Sequence, residues 1–264
     1  MYFSAERLAL ANRKVLETFE QCSVAWQAIP HWDTGDPSQT QVPNDNVTAP
    51  KFVSLTPPVT VPFTVSLAVA IAPTPDLLLA NVIANTVKLA TKVDKAVFTS
   101  LRTAAPMEQF VSLGTQDMLN ALIKARADVE TAGYRAPSCL VANTKGYTEL
   151  TKLTSSGVPG TDVLLPPTNV NCLQRVAALE TIPPSTGDAV AYLLGRRQRI
   201  ACGGAMDASP GEEALDLAVS IAPSMEVVGE AIPPNINTIQ LNVRLGYALR
   251  IKDANGYVAI LNPL

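Results

Sequence analysis

Between Pro30 and Pro75 the chain carries nine of its 21 prolines, and Lys51 is the only Lys or Arg between Lys14 and Lys88. Proline fixes φ and removes a backbone donor, so this stretch can be neither a regular helix nor a central strand. Its first half is filled with polar turn signals, Thr34-Gly35-Asp36-Pro37 and Pro43-Asn44-Asp45-Asn46. Its second half alternates as strands do, over Phe52 to Leu55 and Val59 to Ile71. So long a connection does not fit inside a compact domain. The segment reads as an extended arm and loop that gain order by lying on other subunits.

Composition points the same way. Charged residues are 16 % of the 264, and apolar residues 47 %; an ordinary globular chain carries about 25 % charged residues. A chain so poor in charge covers much of its surface with other chains. A membrane is not the alternative. The most apolar region, Val61 to Val87, is interrupted by Pro62, Pro73, Pro75 and Asp76. Glu6 and Arg7 break the start of the chain before any apolar run, so no signal peptide is expected.

Several chemistries are excluded. The net charge of −3 argues against tight non-specific nucleic-acid binding, which needs a basic surface. His31 is the one histidine, so multi-histidine metal sites are out and any Ser-His-Asp triad would have to use it. Cys22 with His31 is the only conceivable Cys–His pair, and a helix end and Pro30 separate them. The bland reading of His31 is an interfacial ring beside a packed Trp. Cys202-Gly203-Gly204 has no phosphate-loop context. No catalytic, cofactor-binding or metal residues are therefore expected. Cys22, Cys139, Cys172 and Cys202 are far apart without CxxC spacing. They read as reduced, buried thiols, which suits a cytosolic origin.

The periodicity predicts a helix over 4–29, with Leu8, Ala11, Val15, Phe19, Cys22 and Trp26 on one face and Ser4 as N-cap. That face packs either on its own domain or on a neighbour. The strongest helix covers 77–101, with Asp76 as cap and Leu79, Val82, Thr86, Leu89, Val93 and Val97 facing inward. A helix over 116–132 follows, capped by Thr115 and ended by Gly133, then a buried strand over Ser138 to Asn143 and a short helix over Thr144 to Leu153. Short strands are expected near 163–165, 176–182, 188–194 and 215–221. Ile239, Leu241, Val243, Leu245, Tyr247, Leu249 and Ile251 alternate strictly; after the turn Asp253-Ala254-Asn255-Gly256, Tyr257 to Leu261 returns as a strand. The C-terminus thus reads as a long β-hairpin.

The order of these elements resembles the major capsid proteins of tailed bacteriophages, the Hong Kong 97 fold shared with encapsulin shells. Val61-Pro62-Phe63-Thr64-Val65-Ser66-Leu67 looks like the strand entering the peripheral domain. Leu77 to Leu101, with Lys92-Val93-Asp94-Lys95-Ala96-Val97-Phe98, looks like the spine helix; only Asp94 stands for the acidic positions usual there. Met118 to Gly133, then Ala136-Pro137-Ser138-Cys139-Leu140-Val141-Ala142-Asn143 and Gly146-Tyr147-Thr148-Glu149-Leu150, look like the helix, strand and short helix of the axial domain. Gly187-Asp188-Ala189-Val190-Ala191-Tyr192-Leu193-Leu194-Gly195 looks like the strand after its proline turn. Asn242-Val243-Arg244-Leu245-Gly246-Tyr247-Ala248-Leu249 and Gly256-Tyr257-Val258-Ala259-Ile260-Leu261 look like the closing strands of the peripheral domain.

The resemblance implies an α+β capsid fold. Its parts are an N-terminal helix and arm (1–50), an extended loop (51–72), a peripheral domain with the spine helix (73–115 and 232–264) and an axial domain (116–231). It implies a structural, non-enzymatic protein that self-assembles into pentamers and hexamers of an icosahedral shell around a phage genome. The DNA is enclosed without sequence-specific binding; scaffold, portal or decoration proteins are further partners, and no membrane is involved. The location implied is the virion capsid, assembled in the host bacterial cytoplasm. The alternatives are an encapsulin nanocompartment holding cargo protein and, more distantly, a small α/β enzyme. Inter-subunit contacts are expected from Phe19 and Trp26 on the N-terminal helix and from Pro43, Lys51, Phe52, Pro58 and Val61 on the arm and loop. Lys51 is the one lysine placed for a Lys–Asn crosslink of the kind some members of the fold make.

Overall fold

The computed structural model of the chain describes residues 3–44, 51–104, 107–112, 114–154, 156–181, 188–230 and 237–263. Ser4 starts helix α1, Ala5–Cys22, its hydroxyl accepting from the Arg7 amide at 3.2 Å. Ser23 then takes an extended backbone and its Oγ caps a separate short helix α2, Val24–Ala28. The single helix expected over 4–29 is therefore two, because a side chain that caps well also ends the helix before it.

The arm follows as strands β1, His31–Asp33, β2, Gln41–Asn44, and β3, Lys51–Ser54. Strand β4, Val59–Ser66, stops short of the strand expected as far as Ile71. Ser66 Oγ accepts from the Val69 amide and turns Leu67–Ile71 into helix α3. The long helix α4 is Asp76–Thr103, a rod of about 42 Å. Pro75 holds the N-cap position, and Asp76 opens the first turn, where a carboxylate meets the positive end of the helix dipole. The inward face buries Val82, Thr86, Leu89, Val93 and Val97 as the spacing predicts, with Leu78 in place of Leu79.

Strand β5, Met107–Phe110, helix α5, Thr115–Thr131, strand β6, Ala136–Ala142, and helix α6, Thr144–Thr151, come next. Gly114 rather than Thr115 is the N-cap of α5. Helix α7, Gly160–Leu164, replaces the strand expected at 163–165; a Cβ on Gly160 would lie 2.6 Å from the Leu150 carbonyl, so only glycine lets this turn press on α6. Strand β7, Val170–Arg175, lies upstream of the strand expected at 176–182, and Ala177–Thr181 is a 3-10 turn. Strands β8, Asp188–Arg196, β9, Leu215–Glu230, β10, Thr238–Ile251, and β11, Tyr257–Asn262, complete the chain. The proline turn at 183–184, residues 45–50 of the arm and Gly187 lie outside the described residues.

Three sheets form: β1-β9-β10-β4, β5-β11-β8-β6-β7, and the hairpin β2-β3. The expected C-terminal hairpin is not made. β10 pairs antiparallel with β9 and β4, whereas β11 pairs with β8 and β5 in the other sheet. The reason is readable in burial. β10 alternates, but Tyr257 to Leu261 is buried at every position, as befits a strand covered on both faces. Gly256 makes the crossing possible, since a Cβ there would meet Ala214 Cβ at 2.1 Å. These pairings cut across the expected segments: β9, placed in 116–231, joins the sheet of β4 and β10, and β11, placed with 232–264, joins the sheet of β6 to β8. One continuous apolar core joins α1, α4 and both larger sheets, and Tyr257 Oη donates to the Leu101 carbonyl (3.2 Å) to tie β11 to the spine.

Candidate functional site

The proline-rich arm is seated on its own subunit. β1 adds parallel to the outer side of β9, with His31 opposite Leu217 and Asp33 opposite Val219. Val42 and Leu55 are buried with Ala218 and Ala248 in a second small core, flanked by Trp32 and Val53. The expectation that the whole arm gains its order on neighbours is corrected accordingly: edge pairing and this small core order the described part of it.

A buried charge cluster fastens the hairpin root. Asp216 is enclosed, and its carboxylate takes both arms of the Arg250 guanidinium, at 2.7 Å each. Lys252 Nζ stands 3.1 Å from Asp216 Oδ2, and Trp32 Nε1 donates to Oδ1 at 3.2 Å. The same guanidinium lies over the Trp32 ring, 4.9 Å from its centroid, and donates to the Pro43 carbonyl at 3.0 Å. Asn44 Nδ2 donates to the Ile251 carbonyl at 3.1 Å. A buried carboxylate survives only when its lone pairs are filled, and here two cations and an indole fill them. The hairpin is held at its base while its outer side faces solvent. Lys51, Phe52 and Pro43 are exposed, Phe52 by 65 %. Pro58 and Val61 are half-buried, Val61 opposite Val243 in the β4–β10 ladder.

Phe19 and Trp26 sit elsewhere. Phe19 is fully enclosed and Trp26 is 7 % exposed; their rings meet edge-to-face at 5.4 Å. Their surfaces are spent inside the subunit, so neither side chain is available to a neighbour, and the large apolar residues that α1 exposes are Leu10 and Leu16. The His31 ring stacks on Trp26 at 3.7 Å, with Nδ1 3.5 Å from the Ile29 carbonyl, and burial lowers its pKa. Cys22 is exposed, and Cys139 is buried. Among the described residues no group of three or more His, Cys, Asp or Glu could hold a metal ion.

Asp94 does what the sequence alone could not assign. It lies on the buried side of α4 and accepts from Ser23 Oγ (2.7 Å), the Val24 amide (3.0 Å) and the Ala25 amide (3.0 Å). One carboxylate thus caps α2 and locks the α1–α2 joint to the spine. Burial pushes its pKa up to about 6, against the downward pull of those three donors.

Exposed large apolar side chains are spread over the described surface; α4 carries Leu77, Ile83 and Val87, and the hairpin carries Phe52. Ala80, Ile83, Ala84 and Val87, spaced as one helical stripe, all face outward. Leu77 and Ile71 extend the patch at the N-terminal end of α4. Between hairpin and spine runs a groove of about 250 Å³ lined by Val53, Val59, Ala96, Tyr247 and Leu249. A larger cleft of about 470 Å³ lies at the N-terminus of α6, where Glu180 accepts from the Thr144 amide (3.2 Å) and hydroxyl. Around that cleft Asn143 Nδ2 donates to the Ala189 carbonyl at 3.1 Å and Thr148 Oγ1 to the Thr144 carbonyl at 2.7 Å.

A helix-buttressed four-stranded sheet, antiparallel but for its edge strand β1 and overlaid by a hairpin, joined to a five-stranded mixed sheet flanked by α5 and α6, is the Hong Kong 97-type capsid fold. Solved structures share it over nearly the whole chain. A virus-like particle from Pyrococcus furiosus matches with a TM-score of 0.71 at 15 % identity, covering 97 % of this chain and 98 % of that one. A structure from Mycobacterium phage Bobi matches at 0.60 and 16 % identity over 92 % and 91 %. The capsid of Myoviridae phage XM1 matches at 0.59 and 9 % identity over 91 % and 92 %. No protein-family model and no curated protein matches the sequence.

Proposed function

We propose that the chain is a self-assembling shell protein, the major capsid protein of a tailed bacteriophage. Copies form pentamers and hexamers of an icosahedral shell around double-stranded DNA. The observation that carries this reading is coextension: this chain and the Pyrococcus particle chain cover each other almost end to end, so the likeness extends over both larger sheets and the spine helix rather than over one part. Low charge fits a subunit with neighbours on most sides, and a net charge of −3 fits a container whose wall must not hold its genome. The peripheral part is the sheet of β4, β9 and β10 with α4; the axial part is the five-stranded sheet with α5 and α6. Virion location, assembly in the host cytoplasm, and scaffold, portal or decoration partners belong to the same reading. No catalytic role is proposed.

The inter-subunit contacts are assigned to Pro43, Lys51, Phe52, Pro58 and Val61, with the outer stripe of α4. Phe52→Asp tests this directly. It should leave the melting temperature of the subunit unchanged and abolish particles, leaving capsomers or free subunits. Wild-type-like particles from Phe52→Asp would remove the hairpin from the interface.

The TM-score of 0.71 favours a second reading, an encapsulin holding cargo protein, because it exceeds the values for the phage structures above. Nuclease-protected DNA in particles from infected cells supports the phage; particles formed by the chain alone with a co-purified protein support the compartment.

A further inference from the structure

We propose that the bond between Cys172 and Cys202 is a reducible clasp, a thiol-exchange site whose state fixes or frees the loop following β8. The expectation of four reduced thiols is corrected by this bond. β7 is the outer strand of the five-stranded sheet, so its far edge has no strand partner among the described residues. The loop lies along that edge. Asn171 Nδ2 donates to the Ile200 carbonyl at 2.8 Å, and the next residue, Cys172, is bonded to Cys202. Neighbouring side chains on a strand point to opposite faces, so these two grip the loop from both sides. Further anchors are non-covalent and lie at the start of the loop: Arg196 Nη1 donates to the Ile200 carbonyl at 3.3 Å, the Glu213 carboxylate accepts from the Arg197 and Gln198 amides, each at 3.0 Å, and Arg197 lies over the Tyr134 ring, 4.6 Å from its centroid.

Access is one-sided. Cys202 is exposed and Cys172 buried. Cys139 is the Cα partner of Cys172 in the β6–β7 pairing, and burial pushes its thiol up to about 11. It stays protonated near neutral pH and does not compete for the bond. Exchange therefore enters from solvent. A small-molecule thiolate attacks Cys202 Sγ, forms a mixed disulfide there, and expels Cys172 as a thiolate that takes up a proton. A second thiolate attacks the mixed disulfide, leaving Cys202 as a thiol and one small-molecule disulfide. The net change is two electrons and two protons gained by the protein and two thiols oxidised to one disulfide. With the covalent grip gone, the hydrogen bond between the loop and β7 that remains among the described residues is that from Asn171 to the Ile200 carbonyl.

The test uses the full chain purified without reductant and does not depend on the shell reading. Alkylation after denaturation should label two cysteines, Cys22 and Cys139, and all four after dithiothreitol. Trypsin should then cut after the exposed Arg199 at least about tenfold faster in dithiothreitol, as expected when a local opening becomes easier. Cutting elsewhere should not change, oxidised glutathione should restore the slow rate, and Cys202→Ser should cut fast with or without dithiothreitol. Four labelled cysteines even after oxidised glutathione would overturn the clasp. So would a rate at Arg199, including no cutting at all, that is the same in both states.

Discussion

Asp94 is one charge in a buried stripe, and its setting makes stability depend on pH. The folded chain holds the Asp94 proton with a pKa of about 6, against an ordinary 3.8. Native protein binds that proton more tightly than unfolded protein does. Its contribution is therefore full below about pH 4 and is lost as pH rises through about 6, a change of up to about 3 kcal/mol. Asp94→Asn keeps an acceptor for the α2 amides and removes the titration. Urea melts should show the stability of the wild type falling, relative to that of the variant, between pH 4 and 7, the other titrating groups being common to both; equal slopes in both would contradict the assignment. At this scale the sequence was partly legible. Asp94 stood out as an acidic group in the spine, but its partner Ser23 is 71 positions away and was legible only as part of a helix. Asp216, Arg250 and Lys252 gave no signal, because a cation near a strand end reads as solvent-facing until the hairpin is seen to cover it. The Cys172–Cys202 bond was hidden for the same reason: spacing along the chain says nothing about a loop folding back on a strand edge.

Elements were more legible than the contacts between them. The spine helix, α5, β6, α6, β8 and β10 stand near where periodicity puts them, since each buries one face against a continuous core. The failures are at junctions. Ser23 and Ser66 cap new helices where apolar spacing ran on unbroken, and the turn at Asp253–Gly256 carries the chain between sheets instead of closing a hairpin. Prolines forbid regular helix, so the arm reads from sequence as needing neighbours; one edge strand and a four-residue core are enough to seat its described part. The charge cluster beneath the hairpin sets that element's posture. Arg250→Ala leaves the buried Asp216 with Lys252 and the Trp32 indole as its partners and unties Pro43, at a cost of up to about 3 kcal/mol, the low end for breaking a buried pair because one cation remains. Hydrogen exchange should rise across residues 41–44 and 51–54 well before the spine helix exchanges. Protection unchanged in the hairpin would mean that the small apolar core alone holds it.

For the molecule as a whole, the exposed Phe52, the outer stripe of α4 and a charged fraction of 16 % are what the proposed shell subunit, completed by its neighbours, would require. The order of elements carried the fold through identities of 9 to 16 %, because burial pattern and connectivity outlast residue identity. The measurement that tests this most directly is electron microscopy with sedimentation on the chain expressed alone, across a range of protein concentration and salt. Closed shells or rings of five and six subunits are the predicted result. A monodisperse 28.0 kDa monomer under every condition would contradict it.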